Sequence, residues 1–318
     1  MARSDHSRSS PLISPVTARA PAKLNLHLRV GPVRADGFHD LVTVYHAVSL
    51  YDQVRATRAS ALSVTIGGVG ASSVPLDRTN LAVRAATALA HRAGVEPLAH
   101  LHIDKAIPVA GGLAGGSADA AAALVACNAL WDTRLPPAAL VELAADLGSD
   151  VPFALTGGTA LGTGHGELVQ PVPDAGDWHW VLAVADGGLS TPAVYRAYDE
   201  RALDRPAQDR PAQDGLAAIL DALRAGVPAA LGQAMGNDLQ AAALCLRPEL
   251  RRTLDAGATL GALGCLVSGS GPTCAFLAAT ADAAAHLARA LSAAGVCRSA
   301  RQVSGPAAGA QLLAAGSR

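Results

Sequence analysis

Residues 108–117 read PVAGGLAGGS and run straight into the alanine-rich ADAAAALVACNALW. Gly111, Gly112, Gly115 and Gly116 surround Leu113 and Ala114 ahead of a strong helix former. A turn of this kind leaves the first N–H groups of the helix unpaired and exposes the positive end of its dipole. Glycines let the backbone approach an anion closely and take positive φ. Ser117 falls at the expected N-cap, where its hydroxyl either caps the helix or reaches a phosphate or Mg²⁺. The chemistry that suits the pattern is phosphate binding at a helix N-terminus. It is not GxxxxGK[ST], because Gly116 is followed by Ser117 with no lysine, and Gly111-Gly112-Leu113 breaks GxGxxG. A tight turn with a helix cap and no ligand explains the glycines alone equally well.

Four shorter stretches carry further chemistry. In PAKLNLHL, Lys23 and Asn25 share a strand face opposite Leu24 and Leu26; alone, they read as two solvated residues on an edge strand. In RADGFHDL, the Asp36-Gly37 turn pair presents Phe38 and His39, which either grip a planar base or merely close a hairpin. In GSDVPF, Asp150 stands two residues before Pro152, as a cap for a short helix or as a general base aimed at a hydroxyl. SGSGPT, residues 268–273, lies between two apolar strands and suits either close backbone approach to a ligand or a plain hairpin.

The elements that must hold these groups follow from periodicity. Alternation through Leu24, Leu26, Leu28 and Val30 predicts a strand, with further strands in LVTVYHAVSLYDQVRATRA, ALSVTIGG and AHLHIDKAIP. Helical spacing runs from Asn80 to a stop at Gly94, over residues 117–131, and from the prolines of PPAALVELAADLG to Gly148, which suits a left-handed C-terminal glycine. A short helix and a strand follow in the turn-rich SDVPFALTGGTALGTGHGELVQPV. WHWVLAVADGG opens the second half as a strand; helices follow over residues 215–225, 229–243 and 248–257, then strands LGCLVSGS and CAFLAA, helix TADAAAHLARALSAAG and strand VCRSARQVSG. RPAQDRPAQD, residues 205–214, is a tandem duplication read as an exposed loop insertion. Strands clustered early and mixed with helices later give an α+β protein of two lobes. The expected division is a disordered tail over 1–17, a first lobe over 18–175 and a second over 176–318.

The bulk numbers set limits. The chain's 318 residues, half of them hydrophobic, suffice for two lobes with large cores. A net charge of −1, from 25 basic and 26 acidic residues, gives no footprint for nucleic acid. Cys127, Cys245, Cys265, Cys274 and Cys297 form no CxxC pair, and read as free, mostly buried thiols in a reducing compartment, hence a cytoplasmic protein. No apolar run is long enough to span a membrane, and the first residues lack the apolar core of a secretory signal.

No single stretch decides the function, but their order does. PAKLNLHL, IPVAGGLAGGSADAA and VSGSGPTCAF resemble the three motifs of the GHMP kinase superfamily. The resemblance runs over most of residues 20–278. It implies a two-lobed fold, with a ribosomal-S5-like first lobe and a ferredoxin-like second. The GFH and GSDVPF stretches point, within the superfamily, to ATP-dependent phosphorylation of the 2-hydroxyl of a cytidine-diphosphate-linked methylerythritol in the non-mevalonate isoprenoid precursor pathway. Homoserine-kinase-like and mevalonate-pathway members fit these two stretches less well, and intact Lys23, Asp150 and the glycine loop argue against a non-catalytic sensor of the same fold. The resemblance further implies that Lys23 and Asp150 are catalytic. Pro108, Val109, Ala110, Gly111, Gly112, Leu113, Ala114, Gly115, Gly116, Ser117 and Ala118 would wrap the ATP phosphates, with Lys105 and Asn80 near the nucleotide. Asn25, Phe38, His39, Tyr195, Ser270 and Gly271 would meet the substrate, Phe38 and Tyr195 sandwiching cytosine and His39 hydrogen-bonding it. Mg²⁺ is expected with ATP, and no residue is assigned as its ligand; Asp119 reads as a residue serving the helix dipole. No nucleic acid or membrane partner is expected, and the chain should be a monomer or weak homodimer.

Overall fold

The computed structural model describes residues 14–203 and 215–314; the 205–214 duplication and most of the expected tail lie outside the described residues. Strand β1 (Val16–Val33) pairs antiparallel along most of its length with β2 (His39–Arg58). Val16 and Thr17, expected in the tail, are therefore its first two residues. β3 (Ser63–Gly68) runs parallel to β4 (Ala99–Lys105), the connection passing through α1 (Leu81–Ala93). Gly94 ends α1 in the left-handed region at φ 67°, as its position in the sequence indicates. β5 (Thr159–Thr163) adds to β2, and β6 (Leu168–Pro171) to β5.

Helix α2 (Gly115–Leu130) buries eleven of its sixteen residues against β1, β2 and α1. A helix enclosed nearly all round must be apolar all round, and its alanines allow close approach. α3 (Pro137–Leu147) and α4 (Val151–Thr156) complete this lobe. Gly148 does end α3, but at φ 166°, an extended conformation rather than the left-handed one expected.

The second sheet has the order β11-β7-β10-β9, all antiparallel, from β7 (Trp178–Val184), β9 (Gly264–Val267), β10 (Cys274–Ala278) and β11 (Ser299–Gly305). With α10 (Ala281–Ala293) between β10 and β11, this is the strand order of a ferredoxin-like lobe. Between β7 and β9 stand α5 (Thr191–Leu203), α6 (Gly215–Ala225), α7 (Pro228–Ala234), α8 (Gln240–Leu246) and α9 (Glu249–Thr259). The single helix expected over 229–243 is broken. Gly236 and Asn237 leave it to form β8, which pairs with His27 and Leu28 of β1. A final strand, β12 (Gln311–Leu312), also returns to β1, so the second half of the chain adds two short strands to the first sheet. Of the five free cysteines only Cys127 and Cys274 are buried and Cys245 is exposed, which corrects the expectation of mostly buried thiols. Among the described residues no helix is long and apolar enough to cross a membrane.

The two sheets meet where β2 faces β11. His46 of β2 is fully buried there against Trp180, with Nδ1 2.8 Å from Thr159 Oγ1 and 3.7 Å from Asp174 Oδ2. A Cβ on Gly305 would lie 2.2 Å from its Nε2. Burial lowers the His46 imidazole from 6.5 to about 4, against the pull of the Asp174 charge. A depressed folded value stabilises the protein fully above pH 6.5, and that stability is lost as pH falls through about 4. The shift corresponds to roughly 3 kcal/mol. Urea midpoints should therefore fall between these pH values more steeply in the native chain than in His46→Gln; parallel curves would contradict this role for His46.

Candidate active site

β1 carries Lys23 and Asn25 in the same alternation that sends Leu24 and Leu26 into the core. Their face is not solvent. Lys23 and Asn25 are only 7% and 3% exposed, which corrects the reading of a solvated edge. Lys23 Nζ donates to Asn25 Oδ1 at 2.6 Å, and Asn25 Nδ2 donates to Thr43 Oγ1 at 2.8 Å, which locks the amide orientation. Asp150 precedes α4 but its carboxylate caps nothing; Oδ2 lies 3.7 Å from Lys23 Nζ. Tyr45 of β2 packs on Phe153, its ring centre 5.8 Å from Lys23 Nζ. Burial pushes the Tyr45 phenol well above its ordinary value, and the neighbouring Asp150 charge adds to the effect. A buried ammonium beside a partly exposed carboxylate is an arrangement that can take a proton from a hydroxyl and hold the resulting charge.

The glycine loop lies beside this pair, tied to it by the Lys23 N–H donating to Leu113 O at 3.2 Å. Its conformation differs from expectation. Positive φ falls on Ala110 (52°), Gly112 (75°) and Ala114 (57°), so of the four glycines only Gly112 uses that freedom. Ala114 caps α2, and Ser117 is its third residue, not its N-cap. The N–H groups of Gly115, Gly116 and Ser117 lack helical partners by geometry. Ala118 N already donates to Ala114 O at 2.9 Å, and the Leu113 and Ala118 side chains are fully buried.

The second small-residue loop packs directly on the first. Ser268 Oγ donates to Gly112 O at 3.1 Å, and Thr273 N to Gly111 O at 3.3 Å. A Cβ on Gly269 (φ 55°) would stand 3.0 Å from Asn25 Oδ1 and 3.2 Å from Lys23 Nζ, so any side chain there would crowd that pair. Ser270 Oγ is 2.8 Å from Thr191 Oγ1 of α5.

These groups line one cavity of about 800 Å³, a size that suits a small-molecule site. Phe38, 63% exposed, stands at it against His165, ring centres 5.2 Å apart. His39 Nδ1 donates to Gly31 O at 2.8 Å, its Nε2 is 3.3 Å from Asp199 Oδ1, and its ring lies 5.3 Å from that of Tyr195. Burial raises the Tyr195 phenol to about 12, with the Asp150 charge adding to it.

Two expected site residues outside the glycine loop, Asn80 and Gly271, do not line the cavity, and a third, Lys105, is engaged at its wall. Asn80 is the N-cap of α1, its Oδ1 accepting from Ala82 N and its Nδ2 donating to Pro75 O, and it does not line the cavity. Gly271 sits in the turn behind Ser270, its N–H on Ser268 O. Lys105 does line the cavity, but its ammonium is held by Asp52 and Asp119. Asp119 neither caps nor lies in the first turn of α2; it is part of this cluster, which corrects the dipole reading. Sequence reading missed Tyr45, Asp52, His165, Thr191 and Asp199. His165 sits in GTGHGE and Thr191 in STPAVY, where a small-residue turn or a helix start was the available signal.

Comparison with known proteins gives the family. Residues 80–158 match the GHMP kinases N terminal domain and residues 219–297 the GHMP kinases C terminal model. A 4-diphosphocytidyl-2-C-methyl-D-erythritol kinase of Nocardia farcinica is 59% identical over 300 residues, covering 94% of this chain and 97% of the relative. The protein of that name in Streptomyces coelicolor is 58% identical, covering 94% and 99%. The crystal structure of a 4-(cytidine 5'-diphospho)-2C-methyl-D-erythritol kinase is similar at TM-score 0.73 and 36% identity, covering 91% of this chain and 98% of that one. A homoserine kinase of Cytophaga hutchinsonii, at TM-score 0.75 and 19% identity over 96% of this chain and 99% of its own, shares the fold alone.

Proposed function

This chain belongs to the GHMP kinases, in the 4-diphosphocytidyl-2-C-methyl-D-erythritol kinase family, and we propose that it transfers the γ-phosphoryl group of ATP to the 2-hydroxyl of 4-diphosphocytidyl-2-C-methyl-D-erythritol. The observation that carries the reading is the Lys23–Asp150 pair, in a cavity lined both by the glycine loop and by the Phe38–His39 aromatic group. Asp150 accepts the proton of the tertiary alcohol as its oxygen attacks phosphorus. Lys23 holds that carboxylate and carries charge on the phosphoryl group in flight. Asn25 and Ser270 orient the acceptor, and the N–H groups of Gly115, Gly116 and Ser117 cradle the phosphates. Phosphoryl transfer asks for positioning and charge stabilisation, and these groups supply both.

Mg²⁺ arrives on ATP. Among the described residues no three or more His, Cys, Asp or Glu side chains converge as a metal site. The enzyme acts in the cytoplasm as a monomer or weak homodimer, without nucleic acid, its lobes dividing near residue 175.

Phe38 and Tyr195 sandwich cytosine, and His39, its Nδ1 spent on Gly31 O, turns to the base the Nε2 that otherwise lies 3.3 Å from Asp199 Oδ1. Phe38→Ala should raise KM for the cytidylyl substrate on the order of tenfold and leave KM for ATP unchanged. Equal effects on both would remove Phe38 from the base site. The reaction itself is tested by ³¹P NMR of the product: one new phosphomonoester on the 2-oxygen, formed in step with ADP, is expected. Phosphate on another hydroxyl would refute the assignment.

A further inference from the structure

Behind the glycine loop lies a buried cluster that the transfer chemistry leaves unused. Asp52 of β2 is fully buried; its Oδ1 accepts from Ala106 N at 2.6 Å and Ile107 N at 2.8 Å, and its Oδ2 accepts from Lys105 Nζ. Lys105, the last residue of β4, also donates to Asp119 Oδ2 at 2.6 Å. Asp119 is 3% exposed and lines the cavity, yet its Oδ1 has no partner among the described residues.

One ammonium thus faces two carboxyl groups in a nearly buried site at the cavity wall. A single proton brings the cluster to zero net charge, and a buried unpaired charge is costly. Asp52 accepts three donors on its two oxygens; Asp119 accepts one, so the proton belongs on Asp119 Oδ1. An orphaned oxygen becomes useful once protonated, because it then donates.

We propose that Asp119 is a neutral hydrogen-bond donor for the nucleotide, its Oδ1–H donating to a phosphate oxygen of bound ATP. This rests on the kinase reading above. Burial, against the Lys105 charge and with the Asp52 charge, raises the Asp119 carboxyl to about 8, which keeps it protonated at neutral pH. The groups facing it are Lys105 from β4 and Asp52 from β2; Arg301 of β11 reaches the same turn through Ala106 O at 3.1 Å. Above about pH 8 the carboxyl ionises, the donor is lost and a negative charge meets the phosphates.

The test is calorimetric titration of an unhydrolysable ATP analogue with Mg²⁺, at about pH 7 and about pH 9, on the full chain. Asp119→Ala should weaken binding about tenfold or more. Asp119→Asn supplies an N–H where the O–H stood, and should restore affinity to within about threefold at pH near 7. The native chain should bind several-fold more weakly at the higher pH, while the Asn variant should not. If Asn binds as poorly as Ala, or if the native and Asn chains share one pH dependence, the donor role is overturned. If Asp119→Ala fails to fold, the native-against-Asn comparison decides alone. No binding by the native chain at either pH would instead remove the kinase reading and this proposal with it.

Discussion

Asp150→Asn lowers kcat by about 10²–10⁴-fold, the usual contribution of a positioned general base, and leaves both KM values within a few-fold. The asparagine keeps the shape of the side chain and removes only its capacity to take a proton. Folding should be unaffected, because the Asp150 carboxylate makes no capping bond and is 29% exposed, its one ion pair being the 3.7 Å approach of Lys23. The measurement is steady-state ADP release over substrate concentration, with a thermal melt as control. Full turnover by Asp150→Asn would mean transfer without a catalytic base, and would leave Lys23 and the phosphate cradle to carry the reaction.

Lys23→Met and Lys23→Arg should both lower kcat by about 10²–10³-fold, the cost of removing one preorganised donor from a developing charge. The methionine keeps the length of the stem and deletes the ammonium. The arginine keeps the charge but does not fit. Gly269 already stands so close that its own Cβ would be 3.2 Å from Lys23 Nζ, and Asn25 Oδ1 is fixed 2.6 Å away through its bond to Thr43. A planar guanidinium has no room beneath that loop. Loss with Met but near-native activity with Arg would show that charge alone matters and that the tight packing over Lys23 does not.

Much of the fold is legible because its signals are local. The period-2 runs of β1, β2 and β4 and the stop at Gly94 need only neighbours in sequence. The helix expected over 229–243 fails for the opposite reason: Gly236 and Asn237 are drawn out by strand pairing with β1, some 200 residues away in sequence, and tertiary pairing overrides helix propensity. Ser117 misleads as an N-cap because Ala114, an alanine in the left-handed region, makes the turn and caps the helix three residues earlier. Lys23 and Asn25 look solvated because alternation separates two faces of a strand without saying what covers the second. Here the second face is covered by Gly269 and the glycine loop. Asp52 lies in no motif and Asp119 only at the end of the glycine-rich one; the folded chain alone brings them to one ammonium.

The central claim is that one cavity joins an ATP phosphate cradle to a site for a cytidine-bearing alcohol. A coupled assay of ADP release over a panel of 4-diphosphocytidyl-2-C-methyl-D-erythritol, methylerythritol phosphate without cytidine, homoserine and mevalonate tests it most directly. A site built to hydrogen-bond one partner rejects analogues that lack it by up to about 10⁴-fold. The expected result is ADP release with the cytidylyl conjugate at a kcat/KM at least about 10²-fold above the other three. Comparable turnover of homoserine or mevalonate, or no ADP from the conjugate, would contradict it.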